Sequence, residues 1–107
     1  MPTPVPTLSP QQRAAALTRA SQARAARADL RQRLKSRAVG LPEVLEAGRT
    51  DPVVARMRVV TVLESMPGVG PATAVLIMQE LGIAASRRIR GLGPHQRTAL
   101  LERFTRV

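Results

Sequence analysis

The chain has 107 residues and a formal net charge of +10, from 17 Lys and Arg against 7 Asp and Glu. It contains no Cys, which excludes disulfides and thiolate metal sites, and no apolar run approaches the roughly 20 residues that span a bilayer. A length that suits one domain, with no Trp or Tyr and a single Phe, requires a core of aliphatic side chains.

The N-terminal region predicts a short arm and then a long helix. Residues 1–8, MPTPVPTL, are predicted to form a flexible arm. They lack the basic stretch and long apolar run of a signal peptide, so we expect a cytoplasmic protein. Ser9, Pro10 and Gln12 then provide an N-cap, a favoured first helical residue and a capping box. The helix is predicted over 9–37, about 43 Å at 1.5 Å per residue.

Positive charge is concentrated in two segments of the chain. Residues 9–37 carry +7 and residues 86–107 carry +5, whereas residues 38–85 carry −2. Segregated charge indicates a surface for a polyanion, although a GC-rich genome also favours Arg. The first half of the long helix has only Ala and Leu17 to bury, so we expect it to project. The basic face of this helix carries Arg24, Arg27, Arg31 and Lys35. These side chains are either solvated or make secondary contacts with nucleic acid.

Short helices with prolines near their starts are predicted over 41–107. The first of these helices lies between Gly40 and Gly48. Asp51 begins the second helix, and a break in the helical structure is predicted near 57–60. A further helix runs from about Pro71 to Leu81, and Pro94 opens the last. No stretch alternates as a strand does, so we expect an all-α fold with a long N-terminal helix and a compact bundle. The expected buried residues include Val59, Val62, Leu63, Met66, Ala74, Ile77, Met78, Leu81, Leu92, Leu100, Leu101 and Phe104.

The segment MPGVGPATA, residues 66–74, is nearly bare of large side chains between two predicted helices. Positive φ at Gly68 and Gly70 would expose backbone N–H groups around Val69 at the start of the next helix, an arrangement that binds anions. A plain helix–helix corner is the alternative. Nucleotide motifs do not fit, because no Lys follows the glycines and Thr73 stands where a dinucleotide fingerprint has its third Gly.

A second candidate is the connector SRRIRGLG, which places three arginines in four positions. Their mutual repulsion favours a bound polyanion, and the glycines permit close backbone approach; a solvated loop is the alternative. The candidate residues are Arg87, Arg88, Arg90, Gly91 and Gly93. Catalysis finds no support, because His95 is the single His and the carboxylates are scattered. We therefore predict no catalytic residue, no metal site and no cofactor.

The stretch MPGVGPATAVLIMQELGIAASRRIRGLGPHQRTALLERF closely resembles the actinobacterial (mycobacterial-type) integration host factor family, and the similarity extends from about Leu8. The resemblance implies a helical nucleoid-associated protein whose C-terminal half is a helix–two-turns–helix, also found in a small-subunit ribosomal protein and some DNA glycosylases. It implies duplex DNA binding with little sequence specificity, bending or compaction, and assistance to a phage integrase. DNA contact is implied for the arginines of the connector and the backbone of 68–70. We expect a monomer in the absence of DNA.

Two departures from related proteins stand out. Many relatives place a basic residue just after the hairpin, whereas Pro71, Ala72 and Thr73 carry none. Glycosylases use an N-terminal Pro followed by Glu, whereas Pro2 is followed by Thr3. An enzyme of that type therefore stays the weakest alternative, after a ribosome- or RNA-binding protein and a module that docks on an acidic protein.

Overall fold

The computed structural model describes residues 7–105, and the helical content of that range confirms the all-α prediction. Residues 1–6 of the predicted arm, together with 106 and 107, lie outside the described residues. A short 3-10 turn, Ile89–Gly91, precedes the last helix. The helices are α1 Pro10–Lys35, α2 Leu41–Ala47, α3 Pro52–Arg56, α4 Val59–Glu64, α5 Pro71–Glu80 and α6 Pro94–Thr105.

Local capping sets both ends of α1. The Gln12 amide donates to Ser9 Oγ (3.1 Å) and the Ser9 amide donates to Gln12 Oε1 (2.8 Å), which completes the predicted capping box. The last residue of α1 is Lys35, and Ser36 is its C-cap. The helix therefore ends slightly earlier than predicted, because Arg37 adopts the left-handed conformation with φ 67°. This non-glycine turn is held by the Val39 amide, which donates to the Arg33 carbonyl (3.3 Å).

The N-terminal half of α1 extends beyond the rest of the molecule, as its composition predicts. Leu34 is the one buried residue of this 26-residue helix, and Leu17 is 67% exposed. The molecule measures 62 × 32 × 25 Å with a radius of gyration of 17.1 Å. A compact chain of this length has a radius of about 13 Å, so α1 accounts for the elongation. Among the described helices, none is long and apolar enough to cross a membrane.

The core lies between α2, α4, α5 and α6. Val62, Leu63 and Leu100 are fully enclosed, and Leu92 anchors the connector as predicted. Burying a side chain of this size contributes about 1.5–3 kcal/mol. The predicted core residues Met66, Leu81, Leu101 and Phe104 pack against the core but are only half-buried. Met66, Leu81 and Phe104 lie where α4, α5 and α6 end, and Leu101 lies beside the fully buried Leu100.

The connector before α6 is joined to the α3–α4 junction by a short antiparallel bridge. The Val59 amide donates to the Arg87 carbonyl and the Ile89 amide donates to the Met57 carbonyl, both at 2.9 Å. Two residues on each side are too few to give the alternation by which a strand is recognised in a sequence. This pairing fixes the connector, and with it the segment that holds the three clustered arginines.

We expect Gly48→Ala to lower the free energy of unfolding by about 1–3 kcal/mol, the usual cost of overpacking. A Cβ at this position would lie 2.5 Å from Cγ2 of Ile89, which is fully buried and has no room to move. The φ of Gly48 is −63°, so the substitution introduces no backbone strain and isolates the steric effect. Urea unfolding, with the midpoint and slope compared, measures the loss.

The matched control is Gly70→Ala, whose Cβ would meet nothing within 4 Å and whose φ is −84°. Its stability should fall by less than that of Gly48→Ala, because Ala is a poorer N-cap residue than Gly but meets no steric clash at this position. Equal stability of the Gly48→Ala protein and the parent would show that Ile89 does not pack tightly against α2.

Candidate nucleic-acid interface

The hairpin between α4 and α5 is closed by the Val69 amide, which donates to the Met66 carbonyl (3.1 Å). Gly68 has φ +77°, as predicted. The expectation of positive φ at Gly70 was wrong: its φ is −84° and its ψ is 175°. Gly70 is the N-cap of α5, and an N-cap residue takes the extended conformation. The Val69 side chain packs against the core, which leaves the backbone on the outside.

The outer side of the hairpin is open. A Cβ built on Gly68 or Gly70 would meet no atom within 4 Å, so glycine at Gly70 is required neither by packing nor by backbone conformation. No described side chain caps α5, and its first turn holds no acidic residue. The amides of Ala72 and Thr73 therefore lie at the positive end of the helix dipole without an intrahelical acceptor. An anion can approach them closely.

α1 runs beside this hairpin and brings cations to it. Arg31 and Lys35 of α1 line an open groove of about 560 Å³ together with residues 64–70. We call this the hairpin groove; Glu64 is the one acidic residue among those that line it. Arg31 is held in place because its Nε donates to Ser65 Oγ (3.2 Å), which in turn donates to the Thr61 carbonyl (2.8 Å). Two of the four secondary candidates therefore lie beside the hairpin.

A second groove, also about 560 Å³, continues along α1 from Arg31 toward the N-terminus. Among the described residues, no carboxylate lines it. It shares Ala28 and Arg31 with the hairpin groove, so the two grooves adjoin where the Arg31 side chain reaches across to Ser65. We call the second groove the arginine trough, after the six guanidinium groups that line it, from Arg24, Arg27, Arg31, Arg56, Arg58 and Arg88.

The three clustered arginines of the connector do not act as one group. Arg87 Nη1 donates to the Gly91 carbonyl (2.8 Å), and Arg88 Nη1 donates to the Arg56 carbonyl (2.6 Å). Arg88 lines the arginine trough, whereas Arg87 and Arg90 line neither groove. Each guanidinium has five N–H donors, so a single internal bond orients Arg87 and Arg88 and leaves donors for a ligand. Arg90 is exposed.

The two glycines of the connector have internal roles. A Cβ on Gly91 would lie 3.2 Å from Cδ of Arg87, so its absence makes room for that side chain. The Gly93 amide donates to Gln96 Oε1 (3.1 Å) and caps the start of α6. Neither residue has positive φ. Their predicted contact with nucleic acid stays a prediction.

The candidate arginines take part in none of the ion pairs found in the part of the chain that the structure describes. The ion pairs found within residues 7–105 are Arg33–Asp29 (3.0 Å), Arg49–Glu46 (3.1 Å) and Arg103–Glu80 (3.8 Å). None of them includes an arginine of the grooves or of the connector. In the same range, no three His, Asp or Glu side chains come together as metal ligands do. The grooves therefore carry positive charge that no described carboxylate neutralises in an ion pair.

Sequence reasoning missed Arg56 and Arg58. They belong to the segment 38–85, whose net charge of −2 gave no indication of a basic surface. The signal was local: they flank Met57 at the predicted break between helices, where α3 ends and α4 begins. Met57 is buried, so its two neighbours in an extended link are both exposed.

Two short helices joined by a glycine hairpin, followed by a connector and a further helix, define a helix–two-turns–helix protein. Residues 34–104 match the family described as S13-like H2TH domain. The chain belongs to the integration host factor family found in mycobacteria and Streptomyces.

The similarity to these relatives extends over almost the whole chain. It is 51% identical to the integration host factor of Mycolicibacterium smegmatis over 94% of this chain and 95% of that protein. Identity is 50% to the Mycobacterium tuberculosis protein, with the same coverage, and 47% to that of Streptomyces coelicolor, over 94% of each chain. A solved structure of sIHF bound to an 8-bp palindromic DNA superposes with a TM-score of 0.80 at 44% identity, covering 81% of this chain and 98% of the other.

Proposed function

We propose that this protein binds double-stranded DNA through its phosphates, with little sequence preference, and acts as an architectural protein of the nucleoid. The observation that carries the proposal is the hairpin groove, where Arg31 and Lys35 lie beside residues 64–70, which lead into the uncapped N-terminus of α5. Backbone amides and guanidinium groups at one open site match the oxygens of a phosphate. A relative bound to DNA supports the same ligand class.

The connector adds contacts to the same ligand. Arg90 is exposed, and Arg87 and Arg88 are oriented by their bonds to backbone carbonyls. Planar guanidinium groups bind phosphate with two parallel hydrogen bonds, which positions a protein on the duplex without reading sequence. The Gly91 and Gly93 backbone is included in this proposed contact region.

Composition limits two modes of nucleic-acid recognition. The chain has no Asn, one of the two side chains that pair with adenine in the major groove. It has no Trp or Tyr, and its single Phe packs against the core, so no aromatic platform is available for stacking unpaired bases. The second feature favours a duplex over a single strand.

Membership of the integration host factor family supports the finer parts of the proposal. The protein would bend or compact DNA, assist a phage integrase or another recombinase, and be a monomer before it binds. No catalytic group is assigned to it, since the proposed role needs only contact and deformation of the duplex.

Titration of the ¹⁵N-labelled protein with a short duplex of arbitrary sequence tests the proposal. We expect the amides of Gly68, Val69, Gly70 and Arg90 to shift, while Arg49, which is paired with Glu46 outside both grooves, stays unchanged. A second, unrelated duplex should produce the same pattern. Structured RNA at equal salt should compete poorly. Unchanged hairpin and connector amides would refute the proposal, and stronger competition by RNA would favour the ribosome-type alternative.

A further inference from the structure

The proposed function gives a role to Arg31 and Arg88 of the arginine trough and leaves the rest of this groove, with Arg56 and Arg58, without one. Six guanidinium groups from α1, the α3–α4 junction and the connector line one groove, and no described carboxylate does. Like charges at such density repel one another, at a cost that a bound polyanion removes. The segments that supply them are held together by internal hydrogen bonds and by core residues such as Met57 and Ile89, not by the arginine charges.

The α3–α4 junction is built to present two of these groups. Met57 is 3% exposed and anchors the link, while the Arg58–Arg88 bridge and the Arg88 bond to the Arg56 carbonyl keep it extended. Arg56 and Arg58 are exposed on either side of Met57, across the trough from α1. Neither guanidinium donates to any described protein group within hydrogen-bond distance, so their donors remain available.

We propose, on the basis of the DNA-binding function above, that Arg56 and Arg58 hold the phosphodiester backbone of the same duplex that occupies the hairpin groove. The two grooves adjoin at Ala28 and Arg31, so a duplex that lies along α1 meets both of them. The α1 cations of the two grooves extend from Arg24 to Lys35, about 16 Å at 1.5 Å per residue.

Arg88 then has a positioning role in addition to its own charge. Its Nη1 bond to the Arg56 carbonyl (2.6 Å) caps the C-terminal end of α3 and sets the direction of the Arg56–Arg58 link. The trough is therefore assembled from three distant parts of the sequence, α1, the α3–α4 junction and the connector. Lysine at Arg56 and Arg58 would preserve contact with phosphates, since a point charge suffices for neutralisation.

The test compares the double variant R56Q/R58Q with R33Q/R49Q, which removes the same charge from two ion-paired arginines that line neither groove. Glutamine keeps part of the side-chain length, and thermal unfolding checks that both variants fold. Fluorescence anisotropy measures one-to-one binding to a short labelled duplex over a range of salt concentrations. Removing one phosphate contact should lower affinity about eightfold at 0.1 M salt, so R56Q/R58Q should bind roughly 60-fold more weakly.

The salt slope distinguishes direct contact from a loss of folding or of net charge. For R56Q/R58Q the log–log slope should fall in magnitude by about 1.8, and R56K/R58K should restore it. The control variant should retain the parent slope. Equal effects of R56Q/R58Q and the control would overturn the proposal, because net charge alone would then explain the weaker binding.

Two further outcomes would also overturn it while leaving the proposed function intact. The R56Q/R58Q protein could bind a single duplex as the parent does, while R90Q binds it weakly; the trough would then hold no DNA. Alternatively, one-to-one binding could be unchanged while energy transfer between two differently labelled duplexes is lost. The trough would then hold a second duplex. If the parent protein itself does not bind the duplex, the DNA-binding function fails, and the trough proposal fails with it.

Discussion

Replacing Arg87, Arg88 and Arg90 together with Ala is expected to weaken binding to duplex DNA about 500-fold at 0.1 M salt. This value assigns one phosphate to each guanidinium and about eightfold in affinity to each contact. Two of the three side chains are already oriented by bonds to backbone carbonyls, so little conformational entropy is lost when they bind. Electrophoretic mobility shift or anisotropy with several unrelated duplexes measures the decrease in affinity.

A matched control is available for this variant. R33A/R49A/R103A removes the same number of charges from the three ion-paired arginines, and we expect it to bind nearly as the parent protein does. All duplexes should be affected equally by the connector variant, because phosphate contacts carry no sequence information. A decrease in affinity for only one DNA sequence would indicate base readout. Equal decreases in affinity for both variants would show that net charge alone explains the weaker binding.

A steep dependence on salt is the second large effect. About six neutralised phosphates give a slope of about −5 for log affinity against log salt concentration. Raising the salt from about 50 to about 200 mM should therefore weaken binding roughly 1,000-fold. The connector variant, with three phosphate contacts fewer, should show a slope of about −2.7 under the same conditions.

Titrations in a series of salt concentrations with one buffer and one duplex measure this slope directly. A flat dependence would mean that hydrophobic or base-edge contacts dominate, which contradicts an interface built from guanidinium groups and helix amides. Repeating the series with R33A/R49A/R103A controls for long-range charge, which salt also screens.

The two effects have a common structural origin. Within residues 7–105 the described ion pairs involve Arg33, Arg49 and Arg103, and the arginines of the grooves and the connector are left outside them. The cations are held on α1, the α3–α4 junction and the connector, which are rigid through capping and burial. We therefore expect DNA binding to require little reorganisation of the protein, with released counterions as the main source of the free energy of association.

Local signals in the sequence predicted most of the helix limits. Ser9 and Gln12 fixed the start of α1 because a capping box depends on residues three apart. The i, i+3, i+4, i+7 spacing predicted which residues of α4 and α5 are buried, and Leu63 and Ala74 are fully enclosed. The predicted break between Met57 and Val60 is the α3–α4 junction.

Other predictions failed where a conformation depends on context. Positive φ at Gly70 was wrong, because a Gly next to a helix start is also an N-cap, and the sequence does not distinguish these roles. Full burial of Leu101 and Phe104 was wrong, because helical spacing identifies the inner face of α6 but not where the core ends. The connector arginines were treated as one group, whereas Arg88 lines the trough and Arg87 does not.

The amino-acid sequence by itself determined the all-α class, the helix limits, the aliphatic core and the two basic segments, because these depend on neighbours within a few positions. Only the tertiary structure decided that Arg31 and Lys35 lie beside the hairpin, and that Arg56 and Arg58 face α1. Those arrangements depend on how helices pack and on a two-residue bridge between the α3–α4 junction and the connector. Such long-range contacts leave no periodic signal in the chain, since each consists of a few residues from distant segments.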